Sequence, residues 1–302
     1  MGRPDLPDKV STSASLVARL LSTQFPQWSD LPIKAVASDG TQHALYRLGE
    51  DMMVRLPQVE DADGQAQKEF QWLPQLAPRL PLAIPIPLVM GKPAEDYPWH
   101  WSIYRWFEGD TATTGRIADP RQAAADLGKF IAALQRVDPA DGPPSGRGSS
   151  LTERDPHTRA AIASLAGRID ADAATAAWES SLMVPAWESA LVWTHGDLFP
   201  SNILVKDGQL SAIIDFGDAG LSDPACDMLG AWSFLSVDVH DFFRAELSIS
   251  DATWARGRGW ALSIALLALK YFRGADMPIV HFATKIVHEV LADHQRSVND
   301  LH

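Results

Sequence analysis

The chain has 302 residues, enough for one large domain or two lobes with a sizeable core, and its 46% hydrophobic content with 11 Trp excludes a disordered protein. A formal net charge of −12, from 38 acidic against 26 basic residues, disfavours nucleic acid as a partner and favours attraction of cations. A single cysteine, Cys226, excludes an internal disulfide and a thiolate zinc site and fits a reducing cytosol.

The start MGRPDLPDKVSTSAS lacks the apolar core of a secretion signal, and the longest apolar stretch, Trp260 to Leu269, is too short to span a bilayer. A cytoplasmic location without membrane insertion is therefore expected. Residues 1 to 10 should fray, and Ser13 or Ser15 should cap a first helix running to about Gln24, with Leu16, Leu20 and Leu21 as its apolar stripe. Ile33 to Ala37, Ala44 to Leu48 and Met52 to Leu56 read as strands, the first pair joined by Ser38-Asp39-Gly40-Thr41-Gln42. A hairpin with small loop residues suits a cover over phosphates, because backbone N–H groups can approach them, and Ser38, Gly40 and Thr41 are the candidates. One glycine in a hairpin is also what an ordinary turn needs. Arg55 is a charge in an otherwise apolar third strand, suited either to gripping phosphate with its fork or to blocking aggregation at a sheet edge.

A helix is expected over about Asp63 to Leu76, carrying Glu69, and Pro81, Pro85 and Pro87 then break the chain into an extended connection. Trp101 to Tyr104 reads as a strand, followed by the crossing segment Arg105-Trp106-Phe107-Glu108-Gly109. From Asp119-Pro120 onward the pattern is helical: Ala123, Leu127, Phe130, Ile131 and Leu134 keep the helical period to Val137. After a Gly/Pro/Ser loop over Asp141 to Ser150, helices are expected over Asp155 to Ile169, near Ala171 to Ser181, near Asp223 to Leu235, over Asp251 to Tyr271 and over Pro278 to His294. Asp155 and Arg159, four residues apart, are most simply a surface ion pair.

Between these helices lies LVWTHGDLFPSNILVKDGQLSAIIDFGDAGLSDPACD, residues Leu191 to Asp227, where carboxylates crowd against apolar strands. Ile203 to Val205 and Leu210 to Ile214 flank Asp207-Gly208, a strong signal for a two-residue hairpin turn. In that register Leu204 faces Ser211 and Asn202 faces Ile213, so the period of two puts Asp215 on the face and at the open end that Asn202 occupies, roughly 7 Å away. An amide oxygen and a carboxylate there suit Mg²⁺ with substrate phosphates. Asp197, on the loop leading into the hairpin, is placed to orient, or accept a proton from, an attacking hydroxyl. His195 is a candidate buried loop histidine, and Asp223 before Pro224 a helix cap.

The set His195-Gly196-Asp197, Asn202 and Asp215-Phe216-Gly217 resembles the catalytic loop and metal-binding tripeptide of protein-kinase-like phosphotransferases. In the form HGDLFPSN, IIDFGD and DPACD it is similar to the aminoglycoside phosphotransferase family of small-molecule antibiotic kinases. The resemblance implies an α+β, two-lobed fold, with a small antiparallel-sheet nucleotide-binding lobe over residues 1–107 and a larger, mostly helical catalytic and substrate lobe over 108–302. It implies Asp197 as catalytic residue, Asn202 and Asp215 as ligands of Mg²⁺, and ATP or GTP as donor. It also implies Arg55 at the position of the phosphate-contacting lysine, Glu69 as its orienting partner, and Arg105, Trp106 and Phe107 as a hinge against the base. Glu69 could equally be a solvated helix residue and the two aromatics plain core. By the same resemblance His195 and Asp227 brace the catalytic loop, and Asp155 and Asp218 are candidate contacts to substrate amines, not ranked against Glu289. The expected acceptor is a small cationic or glycosylated molecule, foremost an aminoglycoside, with a macrolide or an endogenous alcohol as the alternative and antibiotic resistance as the attendant role. A monomer or weak dimer is expected. The competing class is a non-catalytic nucleotide sensor, suggested by the arginine at the lysine position and the glycine-poor loop.

Overall fold

The computed structural model describes residues 9–37, 42–62, 64–274 and 277–299. Helix α1 (Ala14–Gln24) starts where the Ser13 hydroxyl accepts the Leu16 N–H at 3.2 Å, and its stripe Leu16, Val17, Leu20 and Leu21 is buried. The stripe packs on a five-stranded antiparallel sheet in the order β1 (Ile33–Val36), β2 (His43–Leu48), β3 (Met52–Pro57), β5 (Trp101–Arg105), β4 (Pro87–Gly91). Val54, Leu56, Trp101 and Ile103 join α1 in one apolar cluster, so the strand period turns Arg55 and Tyr104 to the opposite face. There they meet helix α2 (Gln65–Leu76), whose Glu69 is buried.

Strand β4 corrects the extended connection expected from the prolines. It sits at the sheet edge and bonds only β5, the position where a strand tolerates Pro87. Gly91 at its end lies under the Trp101 indole, which a Cβ would overlap. Gly91→Ala should therefore lower stability by about 1–3 kcal/mol, read as a drop in the denaturant midpoint.

A second apolar cluster is built by helices α3 (Pro120–Gln135), α4 (Leu151–Ser164), α5 (Ala171–Met183), α6 (Leu229–Ser233), α7 (His240–Leu247), α8 (Asp251–Tyr271) and α9 (Pro278–Asn299) around Trp178, Trp193, Trp232 and Trp260. Leu73 and Leu76 of α2 belong to this cluster, so α2 touches the sheet with one side and the helices with the other. The fourth helix begins at Leu151 rather than at Asp155. Ser150 caps it and Glu153 reaches back to the Ser149 N–H at 3.0 Å, a stronger start than Asp155-Pro156, and Pro156 lies inside the helix. Near Asp223 the expected single helix is a 3-10 turn over Pro224–Met228 followed by the short α6, and α7 was not foreseen. Small strands complete the chain: β6 (Asp110–Thr111) pairs with β8 (Ile203–Lys206), which pairs with β9 (Gln209–Ile213), and β7 (Val192–Thr194) pairs with β10 (Gly220–Ser222). Among the described residues no helix is long and apolar enough to cross a membrane.

Candidate active site

The β8–β9 hairpin turns at Asp207 and Gly208, both with left-handed φ of 53° and 79°, as an Asp-Gly turn of this length requires. Its register differs from the one expected. Lys206 faces Gln209 and Val205 faces Leu210, but a shift after Val205 brings Leu204 to Ala212 and Ile203 to Ile213, so Ser211 is the extra residue of a bulge. Asn202 consequently pairs with Ile214, whose N–H donates to the Asn202 carbonyl at 2.9 Å. The period of two does not deliver Asp215; its own φ of 62° does, a conformation uncommon for a non-glycine residue and concentrated at functional sites.

The loop after β7 is held from below. Asp227 is fully buried and accepts the N–H groups of His195 and Gly196, both at 2.8 Å. Burial pushes its carboxyl up, and His195 and the two N–H groups oppose that. His195 donates from Nε2 to the Ile214 carbonyl at 3.1 Å and accepts the Asp197 N–H on Nδ1 at 3.2 Å, which fixes one neutral tautomer. Its ring stands edge-on to Phe216 at 4.6 Å, and burial lowers its pKa.

Asp197 projects from this loop with both carboxylate oxygens engaged. Oδ2 accepts the Asn202 side-chain amide at 2.8 Å, and Oδ1 accepts Arg147, a residue the sequence reading missed. Arg147 also donates from Nε to the Gly196 carbonyl at 2.8 Å and pairs with the Asp218 carboxylate at 2.9 Å. Burial raises the Asp197 pKa to about 6; Arg147 opposes it, and the nearby Asp218 and Asp215 carboxylates add to it. Asp197, Asn202 and Asp215 thus share one locus.

Across from it, Arg55 bridges Glu69 at 2.6 Å and Asp215 at 2.7 Å, with His43 Nδ1 at 3.3 Å. Glu69 also accepts the Tyr104 hydroxyl, so the buried carboxylate holds Arg55 from behind. Burial pulls the Arg55 pKa down, and Glu69 and Asp215 outweigh it, leaving a net rise. For Asp215, burial acts upward but Arg55, His43 and His195 prevail and its pKa is lowered. Lys68, beside Glu69, was also missed: its ammonium donates to the carbonyls of Gly217 and Ala219, tying α2 to the segment after Asp215.

Other expected residues lie as follows. Ser38, Gly40 and Thr41 fall outside the described residues. At the crossing segment Arg105 is exposed, and the Trp106 N–H is spent on the Asp51 carbonyl at 2.7 Å. The Trp106 ring lies under Arg47 at 4.1 Å, and both Trp106 and Phe107 are half-buried rather than core. Asp155 accepts Arg159 at 2.8 Å and the Trp178 indole N–H at 2.7 Å, and Asp218 is taken by Arg147, so both candidate amine contacts already have internal cationic partners.

The donor set suits a hard divalent cation. Asn202 spends its amide nitrogen on the backbone and side chain of Asp197, which leaves Oδ1 as its acceptor, and Asp215 keeps 44% of its side chain exposed. One amide oxygen and one carboxylate match the few protein ligands Mg²⁺ takes when phosphates and water supply the rest. Among the described residues no cluster of three or more His, Cys, Asp or Glu forms a cage that would bind a metal without them.

The sequence pattern of the phosphotransferase enzyme family matches residues 33–260, which includes the sheet, the hairpin and every residue of this site. The chain belongs to that family. The family's description, a phosphotransferase, agrees with the transferase class expected from the sequence. A 60-residue segment is 51% identical to an aminoglycoside 3'-phosphotransferase of Enterococcus faecalis, covering 20% of this chain and 23% of that relative's length. Two solved structures, the GDP complex of aminoglycoside 2'-phosphotransferase-IIIa and the GDP and kanamycin complex of APH(2")-IIia, superpose with TM-scores of 0.76 and 0.73, each at 20% identity. They cover 94% and 92% of this chain and 100% and 99% of theirs. The macrolide 2'-phosphotransferase MphH of Brachybacterium faecium superposes with a TM-score of 0.62 at 20% identity, over 95% of this chain and 97% of its own. The likeness carries the two-lobed, kinase-like α+β fold expected from the sequence.

Proposed function

We propose that this enzyme transfers the γ-phosphoryl group of ATP or GTP to a hydroxyl of a small molecule, with residues 1–107 as the nucleotide lobe and 108–302 as the catalytic and acceptor lobe. The observation that carries the reading is the convergence of Asp197, Asn202 and Asp215 on one locus opposite Arg55. Arg55 would face the donor phosphates, held in aim by Glu69. Asn202 and Asp215 would hold Mg²⁺, which supplies charge neutralisation on the phosphates when bound. Asp197 would align the acceptor hydroxyl and take its proton as the acceptor oxygen bonds to the γ-phosphorus and the bond to the departing nucleoside diphosphate breaks. The braces at Asp227 and His195 keep that loop fixed, so no reorganisation is needed during the step.

For the acceptor, aminoglycosides and macrolides are the classes to test first, because one structural neighbour is a kanamycin complex and another is a macrolide 2'-phosphotransferase. The engagement of Asp155 and Asp218 by arginines favours an acceptor whose reacting end is an uncharged hydroxyl over one recognised there through its amines. The decisive experiment is a panel of aminoglycosides, macrolides and simple sugar alcohols with ATP and GTP, with and without Mg²⁺, read by phosphate incorporation. Nucleotide binding that ignores Mg²⁺, with no product from any acceptor, would instead support a non-catalytic sensor. Within the proposed reading, Arg55→Lys should weaken nucleotide binding by about 10- to 100-fold in calorimetric titration. A point charge cannot span Glu69 and Asp215 as the fork does, and a hydrogen bond to a charged group is worth about 1.5–3 kcal/mol.

A further inference from the structure

The segment before α4 reads as a plain Gly/Pro/Ser loop, yet it is stitched to the strip after Asp215 along its length. Leu221 N–H donates to the Pro143 carbonyl at 2.8 Å, Ser145 N–H to Leu221 at 3.1 Å, Gly146 N–H to Asp218 at 3.0 Å, and the Ser222 hydroxyl to Gly148 at 2.7 Å. A Cβ at Gly146 would meet the Asp218 carboxylate oxygen and push it from its place. Behind the loop, Arg154 donates to the Arg147 carbonyl at 2.7 Å and is itself held by Ser263 at 2.9 Å. This scaffold delivers one side chain to the site: Arg147, whose guanidinium reaches the Gly196 carbonyl, Asp197 Oδ1 and Asp218.

We infer that Arg147 is a positioning residue for phosphoryl transfer, acting through Asp197 by fixing one carboxylate oxygen while Asn202 fixes the other. The inference rests on the proposed role of Asp197. A carboxylate anchored at one oxygen still swings about its last torsion, and one anchored at both does not; a misplacement of about 1 Å costs on the order of 100-fold in rate. Anchoring the Arg147 Nε–H on Gly196, the residue next to Asp197, ties the guanidinium to the backbone it must follow. Lysine has neither the second nitrogen nor the planar fork, so the contact is specific to arginine. The Arg147 guanidinium bonds Gly196, Asp197 and Asp218 and none of the groups proposed to face the donor, Arg55, Asn202 and Asp215, so its effect belongs to the transfer step and not to holding nucleotide.

The test compares wild type with Arg147→Ala, Arg147→Lys and Arg147→Gln, the last keeping a donor for the Gly196 carbonyl should the alanine variant fold poorly. Turnover is measured with MgATP and MgGTP on the acceptor found in the panel, and on water where none is found. The expected result is a fall in kcat of about 100-fold with nucleotide KM held within about threefold, no recovery in the lysine variant, and partial recovery of the alanine variant by added guanidinium ion. In a crystal structure of the alanine or glutamine variant, the Asp197 carboxylate should turn about its last torsion, away from the orientation that the two anchors fix. A kcat within threefold of wild type, or an Asp197 that stays in place without Arg147, overturns the inference. Asp197→Asn is run alongside: if it turns over as wild type does, the phosphotransfer role of Asp197 fails, whereas an inactive Asp197→Asn beside an active Arg147→Ala fails the positioning role alone.

Discussion

Replacing Asp197 with Asn is expected to lower kcat by about 100- to 10,000-fold while nucleotide KM changes by less than about threefold. The amide keeps the size of the carboxylate and can still accept the Asn202 N–H on its oxygen, so that anchor is kept. What it loses is the negative charge and the ability to take a proton. Its nitrogen would also face the Arg147 guanidinium, donor against donor, where the native oxygen accepts. Nucleotide affinity is spared because the groups proposed to face the donor are Arg55, Asn202 and Asp215, and all three stay. Steady-state phosphate transfer over a range of nucleotide concentrations separates the two parameters. A variant that raised KM while keeping kcat would place Asp197 in donor binding instead.

Legibility from sequence followed the distance over which each feature is encoded. The turn at Asp207-Gly208, the Ser13 and Asp119 caps and the long α8 are local, and the structure has them where turn chemistry and period put them. The bulge at Ser211 was not legible, because nothing in an alternating strand marks which residue is extra, and a shift of one residue reverses every later face. The left-handed backbone at Asp215 restores what that shift removes, and a left-handed aspartate leaves no signature in a sequence. Arg147 stands 50 positions before Asp197 in a stretch with no period, so no spacing argument reaches it. One signal was available: Ser150 and Glu153 form a capping pattern that starts α4 at Leu151 and places Arg147 just ahead of a helix end, where loops carry functional side chains. Lys68 was hidden differently, since a lysine beside Glu69 on a helix reads as solvated until the segment after Asp215 is known to lie against it.

The largest stability effect is expected at a residue that touches no proposed substrate. Arg256 on α8 and Asp223 are 6% and 3% exposed and meet with two contacts, Nε to Oδ2 at 2.8 Å and Nη2 to Oδ1 at 3.3 Å. The arginine's remaining nitrogen donates to the Pro185 carbonyl at 3.0 Å, and Asp223 also accepts the Ala225 N–H at 2.9 Å, capping the 3-10 turn that carries Asp227. Arg256→Met would leave a buried, uncompensated carboxylate, a change that costs about 3–5 kcal/mol. The cost arises from the stranded charge more than from a lost attraction, and the two sources predict different behaviour in a second variant. Arg256→Met combined with Asp223→Asn removes the charge but keeps an oxygen for the Ala225 N–H, so it should be more stable than Arg256→Met alone by about 1–3 kcal/mol. Denaturant midpoints of the three proteins decide it: a double variant no more stable than the single one would mean that Arg256 holds this region through its packing and its bond to Pro185, not by neutralising Asp223. Because Asp227 follows Asp223 on the same turn and holds the His195 and Gly196 N–H groups, Arg256→Met should also lower kcat, and the double variant should recover part of it.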